Sequence, residues 1–125
     1  MLFIFINFYT NKYTFFFFSG LNRGDSVSNT ETEVSVNDGS EVTLRCSYST
    51  SNNYVYLFWY RKYPNQAMQY ILDRGARSKS GSDSTAEFAK KRFSSTADQD
   101  FTELSISALT LQDSAIYHCA LLSTL

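Results

Sequence analysis

The alternation of apolar and polar residues beyond residue 25 is the feature that most constrains the fold of this 125-residue chain. The segment 41–48 (EVTLRCSY) sets its apolar side chains and Cys46 at every second position. The segment 103–109 does the same around Leu104. Side chains two residues apart lie on one face of a strand, so each segment predicts a strand with one buried face.

Turn-forming sequences separate further strands of this kind, which are predicted at 56–63, 68–72 and 92–98. NDG at 37–39 and YPNQ at 63–66 are turn signals, and TLQDSA at 110–115 predicts a corner with one helical turn. The Gly- and Ser-rich stretch 74–84 is predicted to be a loop. Since no apolar stretch beyond residue 25 has helical spacing, the pattern indicates an all-β sandwich or barrel.

Residues 1–20 have a different composition, because they hold 7 of the 11 Phe and only one charged residue, Lys12. Their apolar runs, followed by Ser19 and Gly20, predict a signal peptide over residues 1–24 that is cleaved between Ser19 and Ser28. It is atypical, because YTNK interrupts the apolar part. A buried N-terminal strand and a wrongly assigned start of translation are the alternatives. The runs are too short for a membrane-spanning helix, which needs about 20 apolar residues.

The two cysteines, Cys46 and Cys119, are 73 residues apart and form no C-x-x-C metal or redox motif. In a protein with a leader, an oxidised pair within an extracellular domain is expected. In DSAIYHC at the end of the chain, Tyr117 and Cys119 share a strand face that points into the core, as Cys46 does on its own strand. Trp59 also faces inward, where it can pack on a bridge between the two cysteines.

These residues and their spacing resemble the core signature of an immunoglobulin variable-type domain, formed by Cys46, Trp59, Asp113, Tyr117 and Cys119. The resemblance implies a two-sheet sandwich with Greek-key connections over residues 25–125. It also implies an ion pair between Asp113 and Arg92, at the start of the strand in KRFSS.

Within this family, FWYRKYPNQ and STADQDFTELSISALTLQDSAIYHCAL resemble a T-cell receptor alpha or delta variable segment. The sequence contains no F-G-x-G motif. The resemblance therefore implies an unrearranged segment that is truncated after strand F and lacks strand G. The edge of strand F, at 117–121, is then expected to be open.

The resemblance implies pairing with a second, beta-type variable domain and recognition of a peptide presented by an MHC molecule. Receptor signalling chains would associate through constant and membrane parts, on the extracellular side of the plasma membrane. Three loops would bind antigen: a first loop (50–56), a second loop (74–80) and a third loop that begins at residue 121. The implied contact residues are Ser51, Asn52, Asn53, Tyr54, Tyr56, Arg74, Arg77, Lys79, Leu121 and Leu122.

The implied pairing face, on the outer side of the strand that holds Tyr60, comprises Tyr60, Lys62, Met68 and His118. Two of these residues depart from the family pattern, since Gln is usual at Lys62 and Tyr or Phe at His118. Lysine has no acceptor, so a symmetric amide pair with the partner is impossible at this position. His118 is expected to become partly buried only when the two domains pair.

The remaining function classes find little support in the residues. A net charge of −1 leaves no basic footprint for nucleic acid. His118 is the only histidine, so neither a metal site nor a nucleophile–base set can be assembled, and no cofactor or catalysis is expected. The alternative functions are a different binding module, either an innate-type receptor with one variable domain or an antibody light-chain variable segment.

Overall fold

The structure, a computed structural model, describes the backbone of residues 2–9, 12–19, 21–22, 25–28 and 35–124, and the side chains of residues 26–27 and 37–123. Two single-turn 3-10 helices cover Glu87–Ala89 and Leu111–Asp113. The strands are β1 (Leu2–Tyr9), β2 (Lys12–Ser19), β3 (Leu21–Asn22), β4 (Asp25–Ser28), β5 (Ser35–Asn37), β6 (Val42–Ser49), β7 (Tyr54–Lys62), β8 (Gln69–Arg77), β9 (Asp83–Thr85), β10 (Phe93–Ala97), β11 (Phe101–Ile106) and β12 (Ile116–Thr124).

The strands form two antiparallel sheets. The front sheet has the order β5-β2-β1-β12-β7-β8-β9, and the back sheet has the order β10-β11-β6-β4-β3. The chain crosses between the sheets, because β6 pairs with β11 and β7 pairs with β12. The predicted all-β, Greek-key sandwich is confirmed.

Alternating side chains from both sheets fill the space between them. Cys46 and Leu104 reach the core from the back sheet, whereas Trp59, Tyr117 and Cys119 reach it from the front sheet, and all five are fully buried. The burial pattern along β6 and β11 alternates with a period of two, as the sequence predicts. Within the front sheet, Cys119 lies directly opposite Trp59.

A polar contact fixes the orientation of the Trp59 ring inside this apolar core. The indole N–H donates to the hydroxyl of Thr102, 3.3 Å away on the back sheet. Thr102 in turn donates to the carbonyl oxygen of Thr96, at 2.8 Å. A buried indole N–H without an acceptor would destabilise the fold, so this chain of bonds makes the large ring compatible with burial.

The corner before β12 forms as the sequence predicts. Thr110 and Asp113 form a reciprocal capping box around the 3-10 turn Leu111–Asp113. The Tyr117 hydroxyl donates to the carbonyl oxygen of Asp113, at 2.8 Å. Tyr117 thereby buries its ring while its hydroxyl is satisfied by the backbone of the corner.

The predicted loop at 74–84 is largely wrong. β8 continues to Arg77 and β9 begins at Asp83, so only a tight turn joins them. Gly75 permits this turn, because a Cβ at that position would lie 1.9 Å from the carbonyl oxygen of Lys79. The Gly75 N–H also donates to Ser82, at 2.9 Å. Glycine here indicates a close approach of two backbones rather than a flexible loop.

In the chain that retains residues 1–24, part of the edge of β12 that was expected to be open is covered. β1 pairs with β12 in antiparallel register, from Leu2 opposite Cys119 to Phe5 opposite Ile116. Residues 2–9 and 12–19 are thus strands of the front sheet, which is one of the alternatives for the N-terminal segment. Removal of residues 1–24 as a leader stays a prediction, and residues 20, 23 and 24 of the expected cleavage region lie outside the described residues.

Truncation of Trp59 is expected to destabilise the domain more than any exposed truncation. Trp59→Ala should lower the free energy of unfolding by about 3–5 kcal/mol, because the cavity it leaves is enclosed by both sheets. Leu122→Ala, at a position 50% exposed, is the control and should change it by less than about 0.5 kcal/mol. Urea denaturation measures the free energy of unfolding of both variants. A loss below about 1 kcal/mol for Trp59→Ala would contradict the placement of the ring.

Candidate functional site

The first loop and the second loop meet at one end of the sandwich, and both are shorter than the sequence predicts. Only residues 50–53 of the first loop lie outside strands, because β7 begins at Tyr54. The turn of the second loop lies at 78–81. β12 continues to Thr124, so the expected third loop begins within a strand.

The Arg77 side chain joins these loops. Its Nη1 donates to the carbonyl oxygens of Thr50 and Asn52, at 2.7 and 2.6 Å. Its Nε and Nη2 donate to the carbonyl oxygen of Gln99, at 3.1 and 2.7 Å, in the turn between β10 and β11. One guanidinium therefore bonds three carbonyl oxygens in two segments that are distant from Arg77 in sequence.

Two further contacts bind the second loop to the first. The backbone N–H and the hydroxyl of Ser78 both donate to the carbonyl oxygen of Asn53, at 3.2 and 2.8 Å. The Lys79 ammonium lies 4.9 Å from the centroid of the Tyr54 ring, within the range of a cation–π contact. The two loops consequently form one connected surface.

Side chains of the first loop also reach the end of β12. Asn52 Nδ2 donates to the hydroxyl of Ser123 at 3.1 Å, and the Thr50 hydroxyl donates to the same oxygen at 3.3 Å. Ser123 is two residues beyond the position where the third loop is expected to begin. All three loops are thus connected through residues 50–52.

The implied contact residues differ in how much of their surface is exposed to solvent. Ser51, Asn53, Tyr54 and Leu122 are exposed, and Tyr54 presents 46% of its surface. Asn52, Tyr56 and Lys79 are half-buried.

Three of the implied contact residues make hydrogen bonds or packing contacts within the domain. Arg74 donates to the carbonyl oxygens of Asp73 and Ser84 and to the Thr85 hydroxyl, all within 3.0 Å. Leu121 packs against the core. Arg77, as described above, bonds backbone carbonyls.

The implied pairing face carries a row of aromatic rings. Tyr60 stacks on Phe58, with ring centroids 6.3 Å apart, and meets Tyr70 edge to face at 6.0 Å. Met68 is exposed beside β8, and Lys62 is half-buried at the end of β7. Sequence reasoning missed Tyr70, although its spacing of two from Met68 was the available signal. Tyr70 lies opposite Tyr60, where a bulge shifts the register of β8 against β7.

His118 is buried in the chain alone, with 2% of its surface exposed, so the expectation that only pairing buries it is wrong. The reason is the position of β1, whose residue Phe3 lies opposite His118. Burial and the nearby charge of Lys62 lower the pKa of His118 to about 4. The imidazole is therefore neutral at physiological pH.

Arg92 and Asp113 form the ion pair that the resemblance implies. Two guanidinium nitrogens of Arg92 donate to the two carboxylate oxygens of Asp113, at 2.8 and 2.9 Å. The hydrogen bond to Asp113 raises the pKa of Arg92. Sequence reasoning missed Arg61, whose guanidinium lies 3.8 Å from the same carboxylate; its place on the inward face of β7 was the available signal.

Cys46 and Cys119 are both fully buried and are free thiols in this structure. Burial raises the pKa of the Cys46 thiol well above its usual value, and a hydrogen bond with Cys119 raises it further. The two thiols face each other between the sheets, where the sequence predicts a disulfide. The bond itself stays a prediction.

The described part of the chain contains no group of three His, Cys, Asp or Glu side chains that could hold a metal ion. Nor does any helix among the described residues have the length and apolar character needed to cross a membrane.

In the chain that retains β1, the strand beside it, buried neutral His118 predicts a dependence of stability on pH. The pKa of His118 is lower in the folded chain (about 4) than in the unfolded chain (about 6.5), so the unfolded chain binds the extra proton between these values. The free energy of unfolding should thus fall as the pH is lowered from about 6.5 towards 4. Between pH 7.5 and 5.0 the loss should be roughly 2 kcal/mol.

Urea denaturation of the wild type and of His118→Phe at both pH values measures this effect. The variant keeps every carboxylate of the chain, so it reports the part of the pH dependence that does not come from histidine. An equal loss in both proteins would contradict the burial of His118.

Comparison with known proteins agrees with the fold. The family described as "Immunoglobulin V-set domain" matches residues 29–124. Human "T cell receptor alpha variable 3" is 40% identical over 84% of this chain and 87% of its own length. Human "T cell receptor alpha variable 9-2" is 34% identical over 82% and 86%, and "T-cell receptor alpha chain V region RL-5" of Oryctolagus cuniculus is 38% identical over 79% and 69%. The chain therefore belongs to the immunoglobulin V-set family, among the T cell receptor alpha variable segments.

Proposed function

We propose that this chain recognises antigen as the alpha-type variable part of a T cell receptor, by contacting a peptide and the MHC molecule that presents it. The observation that carries the proposal is the cluster of loops at one end of the sandwich. Tyr54 and Leu122 are exposed on this cluster, and tyrosine offers a large contact area at low entropic cost. Domains of this family are parts of receptors rather than enzymes.

The partner in recognition would be a second variable domain of the beta type, seated on the outer face of β7 and β8. Phe58, Tyr60 and Tyr70 form an aromatic cluster there, and Met68 is exposed at its margin. Aromatic residues and Met are enriched in protein interfaces, which supports this assignment. Lys62 can only donate, so the partner would need to present a carboxylate or carbonyl oxygen opposite it.

The same proposal places the chain on the extracellular side of the plasma membrane. The secretory pathway would remove residues 1–24 as a leader, and constant and membrane parts of the receptor would connect the domain to signalling chains. Oxidation in that pathway would join Cys46 and Cys119. Both thiols lie in the same core cluster, and Cys46 is within hydrogen-bond reach of Cys119, which supports this bond.

Secreted or surface-displayed protein should contain the Cys46–Cys119 disulfide. A bond that closes a loop of this length stabilises the fold by roughly 4 kcal/mol on the chain-entropy estimate. Non-reducing peptide mapping by mass spectrometry should recover the two cysteine peptides as one linked species. Recovery of alkylated, unlinked cysteines from secreted material would show that the thiols stay free.

Pairing should depend on the aromatic outer face. When this segment is carried by a complete alpha chain with a beta chain in cells that lack both, Tyr60→Ala should lower surface display by about 10-fold or more, because central aromatic residues dominate interfaces. Leu111→Ala, at a position 61% exposed on the 3-10 turn, is the matched control and should leave display unchanged. Flow cytometry measures the surface display of both variants.

Two outcomes would contradict this function. Equal display of Tyr60→Ala and the wild type would show that the partner does not use this face. Display without any beta chain would favour a receptor with a single variable domain, and pairing with an immunoglobulin heavy chain would favour an antibody light-chain segment.

A further inference from the structure

We propose that Arg77 is a positioning residue that holds the first loop in its binding conformation and couples all three loops, rather than a residue that contacts antigen. The inference rests on the proposed function, because it concerns the loops to which antigen recognition is assigned. It reverses the expectation from the resemblance, in which Arg77 is one of the residues that contact antigen.

Four of the five N–H donors of Arg77 bond to backbone acceptors of other segments. Nη1 spans the carbonyl oxygens of Thr50 and Asn52, while Nε and Nη2 both point at the carbonyl oxygen of Gln99. The guanidinium carbon also lies 5.3 Å from the centroid of the Tyr48 ring. A ligand could use these donors only by breaking bonds that define the first loop.

The planar fork of arginine is required for this arrangement. Its nitrogens point in fixed directions, so one side of the guanidinium reaches the first loop and the other side reaches the turn at Gln99. A lysine at position 77 keeps the positive charge but offers one compact ammonium group, which cannot reach both sides at once.

The backbone of Arg77 supports the same conclusion. Its φ is +55°, in the left-handed region that favours glycine and is unfavourable for a long side chain. Glycine would adopt this conformation without strain. A strained arginine persists when the surrounding structure holds it there, and here that structure is the set of four hydrogen bonds.

The effect of Arg77 extends to the third loop through its partners. Thr50 and Asn52, whose carbonyl oxygens accept from Arg77, donate through their side chains to the Ser123 hydroxyl. The next residue of the second loop, Ser78, binds the Asn53 carbonyl oxygen twice. Releasing Arg77 should therefore loosen the first loop and the base of the third loop together.

A loop held in its bound shape loses less conformational entropy when ligand binds. Arg77 would thus increase affinity without touching the ligand. This is a different role from that of Tyr54 or Leu122, whose side chains are exposed on the same surface.

Hydrogen exchange measured on a complete receptor that carries this segment tests the proposal without any ligand. The reporters are the N–H of Asn52, bonded to the Thr50 hydroxyl, and the N–H of Ser78, bonded to Asn53. Arg77→Lys and Arg77→Gly should each increase exchange at both reporters by about 10-fold or more, since a closed loop protects its amides. Strand amides of β7 should be unchanged.

Arg45→Lys is the matched control, because Arg45 stacks on Phe101 at the surface of the back sheet and should leave both reporters unchanged. Arg77→Gly also removes the backbone strain, so a folded variant is expected from at least one of the two substitutions. Unchanged exchange at Asn52 and Ser78 in both Arg77 variants would overturn the proposal.

Staining with peptide–MHC multimers separates this inference from the proposed function. Where a multimer stains cells with the wild-type receptor, Arg77→Lys should weaken staining by several-fold although the charge is kept. Undiminished staining by Arg77→Lys would overturn the positioning role. If no multimer stains the wild type, the proposed function fails, while hydrogen exchange still decides the role of Arg77.

Discussion

The packing of Trp59 against Cys46 and Cys119 is the interaction on which the rest of the structure depends. It joins the two sheets at the centre of the sandwich, where each strand can bury only one face. The Trp59–Thr102 hydrogen bond crosses the same space and satisfies the one polar atom of the ring. Because the two sheets are held together at this point, β7 and β12 fix the positions of the loops at their ends.

The loops are joined to one another by hydrogen bonds to backbone carbonyl oxygens. Arg77 and Ser78 bind carbonyl oxygens of the first loop, so their contacts do not require particular side chains at residues 50–53. The exposed side chains, such as Tyr54, then remain available for a partner. The division between donors that bond the loops to one another and exposed side chains that face outward is the physical basis for the proposed recognition by this end of the domain.

The sequence predicted the parts of this arrangement that depend on local alternation. Cys46, Trp59 and Tyr117 lie on the buried strand faces because residues two apart share a face. Non-local features were not predictable. The burial of His118 follows from a strand more than one hundred residues away in sequence, and the role of Arg77 follows from three carbonyl oxygens in two other segments. The composition of 74–84 was misleading, because Gly75 serves a close backbone approach.

An experimental structure of the complete receptor extracellular part carrying this segment tests the central claim most directly, namely that one V-set sandwich has a pairing face and a separate loop surface. The expected result is that the second variable domain covers Tyr60 and Tyr70 while Tyr54 and Leu122 stay exposed. A partner seated on the back sheet, or a pairing face left open to solvent, would contradict the claim.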